Sequence, residues 1–152
     1  MIDIGTALTV DALLSADATP KHSGWKRGAF LGGAIAPGPT LLAHALGQGA
    51  ARLFEVVPEP NPPALGRDTA AALRSGIGVG LRGAVRELAR EVAREAGLVD
   101  PPLALTGGAR AFARSAFTDM RVFESEDLVH WGLCAALLEH AGRTRPHSFG
   151  PR

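Results

Sequence analysis

The chain has 152 residues, 46% of them apolar, with 16 basic and 15 acidic side chains and a single cysteine. That is apolar material for one compact domain, and the near balance of charge excludes the broad basic field that draws nucleic acid or an anionic membrane. No stretch reaches the roughly 20 apolar residues of a membrane span, and the first residues show no basic segment followed by an apolar run, so a cytoplasmic protein is expected.

In chain order, residues 1–4 and 7–14 predict two strands broken at Gly5, a hairpin. The polar stretch "SADATPKHSGWKRG" reads as a long exposed loop with turns at Pro20, Gly24 and Gly28. Its Lys21, His22, Trp25, Lys26 and Arg27 are an isolated basic patch in a neutral chain, which reads as a solvated loop tip rather than a nucleic-acid surface. "AFLGGAIAPGP" predicts a third strand, after which Thr40 is placed to cap a helix through "LLAHALGQGAARL". The prolines of "VVPEPNPPALG" allow no regular element and predict a stiff, extended connection.

Asp68 or Thr69 then caps the longest helix, whose Leu73, Ile77, Leu81, Val85, Leu88 and Val92 recur at helical spacing. Gly76, Gly78, Gly80 and Gly83 weaken its first half by about 0.5–1 kcal/mol each, which calls for a close-packed neighbour. The second half pairs Glu87 with Arg90 and Glu91 with Arg94 on a solvated face and stops at Gly97. Beyond Pro101 and Pro102 follow a strand at "LALTGG", a helix at "ARAFARSAF", a short strand at "MRVF" and a helix at "SEDLVHWGLCAALLEHAG". Ser125 opens this last helix with Asp127 in its first turn, and Cys134 within it reads as a small buried thiol. Residues 143–152 read as a disordered tail. The order predicts an α/β fold, a mixed sheet of three N-terminal strands plus further strands packed by helices, in one domain over residues 1–142.

Three glycine turns stand out: "DIGTALTVD", "GGAIAPG" and "LTGGA". A glycine after a strand lets backbone N–H groups converge on an anion, a neighbouring threonine adds a hydroxyl donor, and Asp3 can hold a cation opposite the phosphate charge. Each turn alone reads as a tight turn; their combination and order say more.

Together with "GRDTAAA" opening the long helix and "DLVHWGL" near the end, these motifs resemble the second half of type III pantothenate kinase. The resemblance runs from Met1 to about Leu138, with residues 18–28 as an insertion. It implies a ribonuclease H-like lobe of the acetate and sugar kinase, chaperone and actin superfamily. It also implies ATP-dependent phosphorylation of pantothenate, the first step of coenzyme A synthesis, with Mg²⁺, a monovalent cation (K⁺ or NH₄⁺) and a dimeric assembly. Carried over residue by residue, Asp3 matches the aspartate that binds the monovalent cation. Gly5 and Thr6 match the second phosphate turn, and Gly107 and Gly108 the pair near the adenosine end of ATP. Thr69 matches the threonine that contacts pantothenate, although its place at a helix start also suits a plain cap. Asp11 sits where the motif has a second acid.

Two departures accompany the resemblance. Ala50-Ala51-Arg52-Leu53-Phe54 stands where the family has Thr-Ala-x-Leu-Pro. The Asp-x-Gly-Asn-Thr motif of the first phosphate site and the Gly-x-Asp-Arg motif that carries the general base occur nowhere in the sequence. The chain is therefore expected to be inactive alone, with no catalytic residue of its own, and to act as a homodimer or with a separate first lobe. The alternative is a non-catalytic relative that serves as a binding or dimerisation protein.

Overall fold

The computed structural model describes residues 1–15 and 28–140. The expected tail, and all of the expected loop except Ser15 and Gly28, lie outside the described residues. The elements are β1 (Ile2–Ile4), β2 (Ala7–Leu14), β3 (Ala29–Pro37), α1 (Pro39–Gly49), α2 (Thr69–Glu95), β4 (Leu103–Thr106), β5 (Val122–Glu124) and α3 (Leu128–His140). One five-stranded sheet runs β3-β2-β1-β4-β5, antiparallel across β1, β2 and β3 and parallel across β1, β4 and β5. This is the mixed α/β sheet the sequence predicts.

Alternation along the strands builds the core. Ile2 and Ile4 on β1, Leu8, Val10 and Ala12 on β2, and Leu103 and Leu105 on β4 are all buried, as a period of two requires when one face of a sheet is covered. α2 covers that face with Leu81, Val85 and Ala89. A second, smaller cluster joins Ala43 of α1 and Val56 to Leu73 and Ile77 of α2. The proline-rich connection is laid along α2 as a strap. Ser75 Oγ donates to the Ala64 carbonyl at 2.7 Å, and Arg74 Nε approaches Glu59 Oε1 at 3.2 Å without hydrogen-bond alignment.

Helix ends follow local chemistry. Asp68 caps α2, its Oδ1 accepting from Ala71 N–H at 2.8 Å. At the other end Gly97 takes φ +67°. Gly97 N–H donates to the Arg94 carbonyl and Leu98 N–H to the Ala93 carbonyl, the paired closing bonds of a Schellman motif. The capping residue of α1 is Gly38 rather than Thr40. Pro39 fixes the helical φ two residues earlier than expected, and its missing N–H costs nothing at that position.

Four further expectations are corrected. "ARAFARSAF" is two 3-10 turns, Arg110–Phe112 and Arg114–Ala116, instead of a helix. Phe112, Ala113, Ala116 and Phe117 are buried, and the segment is pinned from outside: Arg86 donates to the Ala116 carbonyl at 2.9 Å, and Arg114 pairs with Glu124 at 2.6 Å. That hydrogen bond from Arg114 holds the Glu124 carboxyl below its ordinary pKa. α3 begins at Leu128, after Asp127 rather than around it. The Asp127 carbonyl accepts from Trp131 N–H, and Asp127 N–H donates to Ser125 Oγ at 3.2 Å. Cys134 is exposed, because α3 makes no extensive contact with another element among the described residues. Of the four interior glycines of α2, only Gly78 has the expected close neighbour. A Cβ there would meet the Glu59 carbonyl at 2.5 Å, whereas Gly76, Gly80 and Gly83 face open space.

Candidate functional site at the carboxyl ends of β1 and β4

β1 and β4 lie side by side and parallel although two strands and two helices separate them in the chain. Their carboxyl ends therefore open onto the same edge, the place where open α/β sheets take ligands. β1 ends in the turn Gly5–Thr6, and β4 in Gly107–Gly108. The Ala109 N–H donates to the Ile4 carbonyl at 2.8 Å, stitching the second turn to the first strand.

Asp3 sits at the centre of this arrangement. It pairs in register with Thr9 on β2 and Thr106 on β4, on the face opposite the buried Ile2 and Ile4, and is half-buried. Gly107 has φ +92°, and a Cβ built there would run into Asp3 Oδ1 and the Ile4 carbonyl. Glycine is thus demanded twice at position 107, by the backbone conformation and by the approach of the Asp3 carboxylate. Thr106 is buried, and its Oγ1 has no hydrogen-bond partner.

α1 enters from the other side. A Cβ on Gly38 would run into the Gly5 carbonyl, and the Gly38 N–H donates to the Thr6 carbonyl at 2.9 Å. The hairpin turn and the start of α1 are therefore one packed unit. No side chain caps α1, and the N–H groups of Thr40 and Leu41 in its first turn have no intrahelical acceptor; Thr6, whose carbonyl holds Gly38, is exposed. Within the turn, the Gly5 N–H donates to the Ala7 carbonyl at 2.9 Å.

The structure thus brings together Asp3, Gly5, Thr6, Gly107 and Gly108, and adds Gly38 and Thr106. Thr69 is exposed at the first residue of α2, beside the Asp68 cap. Asp11 is on the face of Asp3, two residues beyond its cross-strand partner Thr9, with its Oδ2 3.4 Å from Thr9 Oγ1. Gly38 was signalled in the sequence only by the Pro-Gly-Pro break, and Thr106 only by preceding the glycine pair.

Sequence comparison decides what this arrangement belongs to. The family model for type III pantothenate kinase matches residues 1–91. The chain belongs to the type III pantothenate kinase family. A type III pantothenate kinase of Thermomicrobium roseum is 38% identical over 136 residues, covering 90% of this chain and 48% of that one. One of Alkalilimnicola ehrlichii is 45% identical over 109 residues, covering 71% and 38%. The chain therefore spans about half or less of the length of the type III pantothenate kinases it matches. A crystal structure of a conserved Baf family protein from Campylobacter jejuni, described as a transcriptional activator, superposes with a TM-score of 0.58 at 22% identity. It covers 93% of this chain and 57% of that one, a likeness of fold. Among the described residues no group of three or more His, Cys, Asp or Glu side chains is placed to hold a metal ion, and no helix is long and apolar enough to cross a membrane.

Proposed function

We propose that this chain supplies the nucleotide side of the ATP-dependent phosphorylation of pantothenate, the opening step of coenzyme A synthesis, in the cytoplasm. The observation that supports it most is the Asp3 carboxylate held against Gly107 beside the Gly5–Thr6 turn. Two phosphate-type turns and one acid meet there at a single sheet edge.

The donor set fits the groups that such a reaction needs. The Thr6 hydroxyl and the first-turn N–H groups of α1 can donate to phosphate oxygens, helped by the positive end of the helix. Asp3, with the Ile4 carbonyl close by and the unpartnered Thr106 hydroxyl in register, offers oxygen ligands for K⁺ or NH₄⁺. A lone carboxylate also suits Mg²⁺, which takes most of its ligands from phosphates and water rather than from a protein cage. Gly107 and Gly108 leave room for the adenosine end, and Thr69 is kept for pantothenate. Phosphoryl transfer depends on placing charge around the γ-phosphate from both sides. This chain brings no general base and a second copy would add none, so turnover requires a first lobe that carries one.

Calorimetric titration of MgATP into the purified chain, in K⁺ and again in Na⁺, tests the reading. Binding that needs K⁺ and disappears in Asp3→Ala is expected. Absence of binding in every salt would overturn it in favour of a non-catalytic relative.

A further inference from the structure

Asp3 is flanked by a threonine on each neighbouring strand. Thr9 of β2 and Thr106 of β4 are its register partners, so the three residues form a row across β2, β1 and β4 on the face opposite Ile2 and Ile4. The two hydroxyls differ in their bonding. Thr9 Oγ1 donates to Asp11 Oδ2 at 3.4 Å. Thr106 is 1% exposed, and its Oγ1 has no hydrogen-bond partner.

A buried hydroxyl without a partner has lost its bonds to water and regained none, so each one calls for a reason. Among the described residues the one other such side-chain atom is Arg74 Nε, which has the Glu59 carboxylate 3.2 Å away. Thr106 has the Asp3 carboxylate in register beside it, and the two share no hydrogen bond. They are two oxygen groups available to one cation.

The row sets one negative charge among neutral oxygens. Ca²⁺ draws on several carboxylates, and among the described residues no group of three acids is placed to hold a metal. Mg²⁺ keeps its water and phosphate ligands and gains nothing from a buried hydroxyl. A monovalent cation that sheds water readily, K⁺ or NH₄⁺ ahead of the smaller Na⁺, matches both the charge and the burial. Thr106 also leads directly into Gly107, and the Ala109 N–H of the same turn donates to the Ile4 carbonyl. Whatever joins Thr106 to Asp3 therefore fastens this turn to β1.

We infer that Thr106, through its hydroxyl, is a ligand of the monovalent cation held by Asp3, and that the cation thereby ties the Gly107–Gly108 turn to β1, an inference that rests on the cation part of the function proposed above.

The test melts the full chain at constant ionic strength in chlorides of K⁺, NH₄⁺, Na⁺ and tetramethylammonium, the last too large to enter, and follows hydrogen exchange of the Ala109 amide. K⁺ and NH₄⁺ should raise the wild-type midpoint above its tetramethylammonium value, and K⁺ should slow Ala109 exchange. Thr106→Val, equal in shape, should melt no lower than wild type in tetramethylammonium, because the hydroxyl it removes has no partner. It should need about tenfold more K⁺ for half the rise, the scale of a lost contact at a metal site, and Thr106→Ser should restore the response. Thr106→Val melting lower in all four salts alike overturns the inference, since the fold or a buried water would then hold the hydroxyl. An unchanged K⁺ response in Thr106→Val, or none in wild type, also overturns it. An Ala109 amide indifferent to K⁺ removes the tie to β1. MgATP calorimetry on the wild type is read separately, so K⁺-dependent nucleotide binding can stand while the role of Thr106 falls.

Discussion

α2 and α3 are both helices of a single sheet-based domain, yet they solve opposite problems. α2 has one apolar stripe, a capped start, a closed end and a charged outer face, and its whole stripe is covered, Leu81, Val85 and Ala89 by the sheet and Leu73 and Ile77 by α1 and Val56. α3 has apolar residues on both sides and meets its own domain along only one. The difference teaches that periodicity reports how many neighbours a helix is built for. One stripe needs one neighbour, and α3 has fewer than its sequence provides for.

The largest test of this contrast removes the same side chain from each helix. Leu81→Ala should cost about 2–5 kcal/mol in urea unfolding, the usual toll of a buried leucine. Leu133→Ala should stay within about 0.5 kcal/mol, because it is already in water. Equal losses would break the comparison. Within α2, Gly78→Ala should destabilise by about 1–3 kcal/mol, since its Cβ would press on the Glu59 carbonyl and the Pro62 ring. Gly80→Ala, facing open space, should stabilise by about 0.5–1 kcal/mol. A stability gain at both positions would show that the strap does not grip the helix. Asp68→Ala should cost about 1 kcal/mol by freeing the Ala71 N–H, with loss of helical circular dichroism on warming confined to the start of α2.

The smallest effect concerns the strand from which α3 departs. Glu124 is held below its ordinary pKa by the hydrogen bond from Arg114, with Arg114 and Arg110 charges adding to it against burial. The unfolded chain therefore binds the proton more readily than the folded one. The stabilisation is fully present above the unfolded value of about 4.3 and is lost as pH falls through the lower folded value. Glu124→Gln should flatten the acid limb of a stability–pH curve in that window, and an unchanged limb would remove the Arg114 pair from the account.

Much of the fold was legible because it rests on local rules. The stripe of α2, the Asp68 cap, the Gly97 stop and the alternation of β2 are written in spacing and residue type. What failed depends on distant partners. Thr40 looked like a cap until Pro39 and the seat of Gly38 on the hairpin turn placed the start earlier. "ARAFARSAF" has helical spacing, but its arginines are held by Glu124, Glu126 and the Gly107 carbonyl, which tightens it into 3-10 turns. Cys134 looked buried because an apolar run is normally covered within its own domain. The two glycine turns of the site were visible singly. Their meeting at Asp3 required the parallel pairing of β1 with β4, which no local pattern encodes.

The proline-rich strap has a consequence for the unfolded chain. Pro58, Pro60, Pro62 and Pro63 occur within six residues, and each fixes one backbone angle before folding begins. At a compatible position a proline removes about 0.4–1 kcal/mol of conformational freedom from the unfolded ensemble. A segment without a hydrogen-bonded ladder can thus lie ordered on α2 at a small entropic cost, its shape largely chosen before it meets the helix.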